Sequence, residues 1–429
     1  MRKLTSIDLF AGCGGLTRGL EWAGFECIAF NELNKDAADS FALNFPDAER
    51  FDGDISQAVS EEAIREQILP LAKGERIDLV CGGPPCQGYS GIGHRRTHHV
   101  ERRDIPANRL FQEMIRTIEG IQPRAFLFEN VQGILSGRWT SDGVGGDIFR
   151  DVWAAFSSID GYVAQPTLLH GYGFGVPQNR PRVMIMGVRE EIERENGLEG
   201  AEFDPSLTAS SYHSQLRNNG GLFPKWEGST APDLVDVIGD LDFTGWRDEH
   251  KADRHRTTPK GELQKRMRPN ARAFGSKTGV DGWNYGREPV TDHEFSNHTE
   301  RIVEKFKAMH DNDGEIPEHM RTKKFSQKIV PARWGDSKPS MTVTSLPDDY
   351  VHYARPRTFS VREWARIQTF PDDHLFAGKR TTGGSRRAGI PSEGIWDREV
   401  PKYTQIGNAV PPLLAEAIGE AIIENVLES

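Results

Sequence analysis

Cysteine is scarce in this chain of 429 residues: there are four (Cys13, Cys27, Cys81 and Cys86), and none follows position 86. They show neither zinc-like CxxC spacing nor a ladder able to staple a small secreted fold. A disulfide framework is therefore excluded, and a thiol remains free for chemistry in a reducing compartment. Long apolar runs are lacking too. None approaches the ~18 residues that cross a bilayer, and MRKLTSIDLF leads straight into a strand-like run without a signal peptide. The expected location is the cytoplasm, with no membrane partner.

What is present is an ordinary globular composition, 37% hydrophobic and 27% charged, with 44 glycines and 25 prolines that call for many turns. Such a length holds two or three domains. Apolar, β-branched runs at Leu4–Phe10, Cys27–Phe30, Ile77–Cys81, Ala125–Phe128 and Val183–Val188 alternate with helix-period segments at Leu16–Ala23, Ala63–Leu71 and Leu110–Ile121. This alternation predicts an α/β fold, a mainly parallel, doubly wound, Rossmann-like sheet over residues 1–190. Ligands of such sheets sit at the carboxyl ends of strands. From 191 to 345 the apolar runs shorten, and a second, smaller domain of irregular or β character is expected. Residues 346–402 form a return segment with a long loop at 377–400, and 403–429 a C-terminal helix that completes the first domain.

The first strand runs into DLFAGCGGLTRGL. Gly12, Gly14 and Gly15 permit a tight turn that brings backbone close to a ligand, at the N-terminus of the following helix. Glu32 lies 20 residues after Gly12, the spacing at which a carboxylate meets ribose hydroxyls. Asp54, in GDI, is placed to accept from an exocyclic amine of adenine. The three features together point to an adenosine-type ligand, and GxGG rather than GxGxxG leans away from a dinucleotide.

The third strand ends in GGPPCQGYSGIG. Two prolines stiffen the chain before Cys86 and glycines follow it, so the thiol is displayed on a constrained turn at a strand end. A thiolate suits addition to an electron-poor ring carbon such as C6 of cytosine. The other three cysteines read as small buried hydrophobes. Glu129, in ENV at the next strand end, is placed to donate a proton to a ring nitrogen as charge arrives there. In QNRPRV, period-two spacing puts Arg180 and Arg182 on one face, where a guanidinium holds a pyrimidine O2.

Net charge is −10, yet the charge is segregated. Residues 251–278 carry nine Lys/Arg, Arg266 and Arg268 among them, against Asp253 and Glu262; residues 321–338 carry six against Asp336. Phosphate binding requires a local basic face, not a basic whole. The bland alternative is a solvated surface.

DLFAGCGG, NE at Glu32, GDI, PPCQGYS, ENV, QNRPRV, RPRTFSVREWARIQTFPD and QIGNAVPP stand in one order along the chain. In that order they closely resemble the cytosine-C5 DNA methyltransferase family of bacterial modification enzymes, over most of residues 1–190 and 355–427. The resemblance implies that S-adenosylmethionine is the methyl donor, leaving as S-adenosylhomocysteine, and that no metal is used. It implies that Phe10 packs on the donor adenine, Glu32 binds its ribose and Asp54 its N6. Gly12, Gly14, Gly15, Ile55, Pro84, Asn408 and Val410 complete that pocket. It makes Cys86 the nucleophile, Glu129 the holder of N3 and N4 of the target cytosine, and Arg182, beside Arg180, the contact to O2. The target-recognition domain falls at 191–345. A loop at 90–108, with Ser90, Arg95, Arg96, Arg102 and Arg103, closes over duplex DNA. A restriction endonuclease acting on the same site is the implied further partner. Leu33 departs from the pattern, since many members carry an aromatic residue there, and the 377–400 loop is longer than expected.

Rivals are weaker. His94, His98 and His99 lack a further ligand cluster for a metal. Relatives acting on transfer RNA carry Cys-Phe-Thr in the target domain, and this chain has no cysteine there. A non-catalytic DNA-binding homologue would be expected to have lost PPC or ENV.

Overall fold

The computed structural model describes residues 3–85, 106–197, 203–217, 220–226, 228, 231–255, 257–268, 289–321, 327–335, 337–382 and 399–427. Seven strands form one sheet: β1 Leu4–Leu9, β2 Phe25–Asn31, β3 Glu49–Arg50, β4 Leu79–Gly82, β5 Ala125–Val131, β6 Tyr162–His170 and β7 Pro181–Arg189. Their order is β3-β2-β1-β4-β5-β7-β6, and every pairing is parallel except those of β7, which runs antiparallel to both neighbours. This is the α/β, Rossmann-like, doubly wound sheet that strand–helix alternation predicts, closed at one side by a reversed strand.

Burial on both faces explains the near-continuous apolar strands. On one face Ile7, Leu9, Val80, Phe126, Phe128, Val183 and Ile185 meet α3 (Phe111–Ile121) and α4 (Asp147–Ser157). The intervening residues Leu79, Cys81, Ala125, Leu127, Met184 and Met186 meet α1 (Gly15–Ala23) and α8 (Pro412–Ile422) on the other. The stretch Lys402–Leu427 has the length and mean hydropathy, 1.2, of a membrane span, yet 61% of its most apolar window is buried inside the protein. It caps the sheet. Side chains as far along as Phe203, Tyr212 and Phe223 also pack on the sheet.

Among the described residues the middle of the chain is irregular, built mostly of short helices such as α5 (Leu234–Ile238), with strand confined to a two-residue pair, Lys328–Ile329 beside Tyr350–Val351. An apolar cluster, with Leu234, Val237, Ile238, Trp364 and Ile367 among its members, and a buried ionic network together join it to the rest of the fold. Helix α6 (Val361–Ile367) opens with a capping box in which Ser360 Oγ accepts from Glu363 N and Glu363 Oε2 accepts from Ser360 N. Its arginines, basic by sequence, are all buried. Arg357 grips Glu363 through two 2.7 Å bonds, and Arg362 donates to the carbonyls of Thr291, Pro371 and His374. Arg366 joins Asp372 (2.6 Å) to Asp240, and His255 Nε2 lies 2.8 Å from Asp372. These partners hold the carboxyls of Glu363 and Asp372 well below the usual range despite burial.

The same lattice corrects one expectation. Arg268 is 2% exposed and donates from Nε and Nη2 to Asp240 at 3.0 and 2.8 Å, so it is structural and unavailable to phosphate. Arg266 is likewise committed, pairing with Glu416 and stacking over Trp22 with Cζ 4.8 Å from the ring centroid.

Deleting one member of a buried pair strands the other charge, at a cost of about 3–5 kcal/mol. Asp372→Ala, which leaves Arg366 and His255 short of a partner, should lower unfolding stability by that amount in a denaturant titration, and Lys265→Ala on an exposed pair by less than about 1 kcal/mol.

Candidate active site

The carboxyl ends of β1, β2, β4 and β5 lie along one edge of the sheet, and the expected donor motifs meet there. Leu9 at the end of β1 is in register with Asn31 and Gly82. Beyond it the chain turns through three left-handed residues, Phe10 (φ 57°), Gly12 (φ 56°) and Gly14 (φ 85°). At Gly14 a Cβ would lie 2.4 Å from the Phe45 ring, so glycine is obligatory there on two counts. Glu32 spans the turn: its Oε2 accepts from Gly12 N at 3.0 Å and its Oε1 from Asn34 N at 2.8 Å. Asn31 ties the following segment to the same edge, donating to the carbonyl of Phe51 (2.6 Å) and Gly53. Asp54 is exposed there, with Oδ1 accepting from Ser56 N, while Ile55 is buried. Leu33 is 69% exposed beside Glu32.

The GNAVPP turn closes on the donor turn. A Cβ at Gly15 would meet the Val410 carbonyl at 2.4 Å, so only glycine allows this approach. The Asn408 side chain is exposed. Support comes from residues that motif reading passed over. Gln178 accepts from Val343 N at 2.7 Å and donates to the carbonyl of Ile367. Gln368 donates to the carbonyl of Ala409. His374 Nε2 donates to the carbonyl of Cys13 at 2.9 Å, and burial holds its imidazole neutral, well below the usual range. The position of Gln178 beside two arginines drew attention to the charges and away from the amide.

The reaction side lies one and two strands over. Glu129 pairs with Met184 and Val131 with Arg182 across β5 and β7, so Glu129 and Arg182 are diagonal neighbours on one face. They form an ion pair, both nearly buried. Burial raises the Glu129 carboxyl above its usual range, against the pull of Arg182 and Arg180. Its Oε2 lies 2.5 Å from where a Cβ of Gly83 would stand. The glycine of GGPPC thus exists to let the carboxylate cross the chain three residues before Cys86. Asn130 Nδ2 donates to the carbonyl of Pro84 at 3.2 Å and fixes the same turn. Pro84 is buried.

Arg180 differs from expectation. It is 2% exposed and precedes β7, with Nη1 donating to the Val343 carbonyl at 2.9 Å and Nη2 to that of Gly407 at 2.6 Å. With both terminal nitrogens spent on backbone, it clamps two loops and is not free to hold a base. Cys86, Ser90, Arg95, Arg96, Arg102 and Arg103 lie outside the described residues. The remaining cysteines are Cys13 and Cys81, buried, and Cys27, partly so; burial pushes all three thiols up, that of Cys27 to about 12. Among the described residues no group of three or more His, Cys, Asp or Glu is arranged to hold a metal.

Asp8 was unremarked as a charge inside an apolar strand. It is 1% exposed, accepts from Thr17 Oγ1 at 2.6 Å, and is pushed up to about 7 by burial, with Glu32 adding to the effect.

The family model described as C-5 cytosine-specific DNA methylase matches residues 4–424. The type II methyltransferase M.DdeI of Desulfomicrobium norvegicum is 30% identical over 436 residues, 97% of this chain and 88% of that protein. M.AgeI of Thalassovita gelatinovora is 30% identical over 472 residues, covering 98% of this chain and 99% of its own. Among solved structures, a chain described as a DNA modification methyltransferase encoded within a prophage (E. coli) superposes with a TM-score of 0.63 at 22% identity, covering 99% of this chain and all of that one.

Two outcomes are expected from this geometry. Gly83→Ala forces the Glu129 carboxylate aside, so methyl transfer should fall at least about 100-fold, as for loss of a transition-state donor, while donor affinity by calorimetry changes little. Asp8 has a folded pKa near 7 against 3.8 for the free group. Stability tied to it is full below pH 4 and is lost as pH rises through 7. The melting temperature of Asp8→Asn relative to wild type should therefore be higher at pH 8 than at pH 5; an equal difference at both would show Asp8 ionises normally.

Proposed function

This chain belongs to the C-5 cytosine-specific DNA methylase family and is a DNA cytosine-5 methyltransferase, and we propose that it acts on a flipped-out cytosine of duplex DNA through a covalent Cys86–C6 adduct. The observation that carries the proposal is the Glu129–Arg182 pair folded over Gly83, directly before PPCQ. Such a pair offers a carboxyl group with raised proton affinity next to a fixed cation, at the strand end where a thiol is expected.

The donor turn suits S-adenosylmethionine. Backbone N–H groups at a left-handed glycine turn, an acidic side chain already oriented by them, and partly exposed Phe10 and exposed Leu33 fit a cation bearing adenosine. Glu32 would hold the ribose, Asp54 the adenine amine, and Gly12, Gly14, Gly15, Ile55, Pro84, Asn408 and Val410 the remaining surface. The donor supplies an electrophilic methyl on a sulfonium, and no metal is needed for that. Because C5 of a stacked cytosine is out of reach, the base leaves the helix. The Cys86 thiolate adds to C6, and Glu129 delivers a proton to N3, which removes the negative charge that addition places on the ring. Arg182 keeps Glu129 aimed and lies next to O2. C5, now an enamine carbon, accepts the methyl. Loss of the C5 proton and expulsion of the Cys86 thiolate restore the aromatic ring, and N3 returns its proton to Glu129.

Sequence preference would reside within 191–345, the stretch between QNRPRV and the return segment. The relatives' names, type II methyltransferases, support a cytoplasmic modification enzyme paired with an endonuclease of the same specificity.

Cys86→Ser should abolish transfer while donor affinity is kept, because a hydroxyl is a poor nucleophile toward C6. Duplex containing 5-fluorocytosine should trap the wild-type protein in a denaturant-resistant complex, since fluorine cannot leave as a proton does. Turnover without trapping would overturn the covalent route.

A further inference from the structure

With Arg266 and Arg268 committed to carboxylates, a surface that joins Lys338 of the second basic run to Arg217 has the character a phosphate contact needs. It adjoins the reaction side. Strand β6 ends at His170, in register with Pro181, and Leu169 is in register with Arg182. Glu129 on β5 is level with Thr167 through Met184, so it and His170 on β6 are two strand spacings and three residues apart, roughly 14 Å, which a DNA strand covers in about four base steps.

Around His170 stand two aromatic rings and two exposed cations. Tyr172 lies 5.2 Å from the His170 ring, and Trp226 packs edge-on to Tyr172 at 5.6 Å. Lys338 Nζ is 5.7 Å from the Tyr172 centroid, and Arg217 Cζ is 5.6 Å from that of Trp226. Both cations are exposed, and neither pairs with a carboxylate among the described residues. That separates them from Arg333, which meets Asp233 and Asp236, and from Arg321, which meets Glu315. His213, bonded to Gln132 at 3.0 Å just after ENV, joins the margin to the strand that bears Glu129. Burial and the nearby charges of Arg217 and Lys338 keep His170 neutral. The Tyr172 hydroxyl is buried and has no partner. The aromatic rings brace the cations from below and restrict them, which lowers the entropy lost when each meets an anion.

We infer that Arg217 and Lys338, braced on Trp226 and Tyr172, form a seat for the backbone phosphates of the DNA beside the flipped cytosine. The inference rests on the proposed approach of duplex DNA to the carboxyl edge of the sheet. The seat holds two phosphates and reads no bases, since contacts of this kind position a strand without specifying its sequence.

The test measures affinity of the full-length protein for a duplex fragment that the wild type methylates, as a function of salt, by fluorescence anisotropy. Loss of two phosphate contacts should flatten the slope of log affinity against log salt by about 2 in Arg217→Gln/Lys338→Gln. The swap Arg217→Lys/Lys338→Arg, which keeps both charges, should retain the wild-type slope. Arg266→Gln, a cation already paired with Glu416, should also leave the slope unchanged. Calorimetric donor binding reports whether each variant is folded. An unchanged slope in a folded double variant, with wild-type methylation of the fragment intact, overturns the seat and leaves the proposed reaction standing. A wild-type protein that binds and methylates no duplex fragment at all overturns both.

Discussion

One ion pair sets the arrangement of the reaction side. Glu129 ends a parallel strand and Arg182 begins an antiparallel one, and only the reversal of β7 between β5 and β6 brings them together. A buried carboxylate without a partner would take up a proton and drift in orientation. Paired with Arg182, it is fixed in place while burial keeps its proton affinity above the ordinary. Gly83 is a consequence, since any side chain there would occupy the position of the carboxylate. So is the clamp made by Arg180, which fastens the chain entering β7 to the segment at Val343 and to the last turn of the helix Lys402–Asn408 at Gly407, and so fixes where Arg182 begins.

The return segment supports the other half. Arg357, Arg362 and Arg366 are consumed inside. Through Asp240, Asp372, Glu363 and His255 they weld the irregular middle of the chain to helix α6. Beyond that helix His374 reaches the donor turn, Gln368 at its end reaches the GNAVPP turn, and Gln178, just before β7, donates back to the helix's last carbonyl at Ile367. Donor turn and reaction pair are thus held by one polar network, and their relative position does not depend on loop packing alone. Buried charges of this kind add little net stability compared with apolar packing but penalise any other arrangement strongly.

The sheet was legible because apolar periodicity and strand-end glycines are local signals: Leu4–Phe10, Ile77–Cys81 and Ala125–Phe128 each mark a strand. What failed was charge. Arg268 and Arg180 read as surface or substrate contacts because a sequence shows a guanidinium and not its partner, here an aspartate 28 residues away for one and backbone carbonyls 163 and 227 residues away for the other. Gln178, His374 and Asp8 went unnoticed for the same reason: their significance lies in long-range hydrogen bonds. The C-terminal helix expected over 403–429 is divided at Ala409–Pro411 into Lys402–Asn408 and Pro412–Ile422, and the second part packs in the core against the sheet.

The account holds that the methyl group replaces the hydrogen on C5 after the ring has been opened to attack at C6. Duplex DNA carrying tritium at C5 of its cytosines, incubated with the protein and methyl-labelled donor, measures this directly. The account predicts one tritium released to water for each methyl group incorporated. Methyl incorporation with the tritium retained would place the new bond on another atom and contradict it.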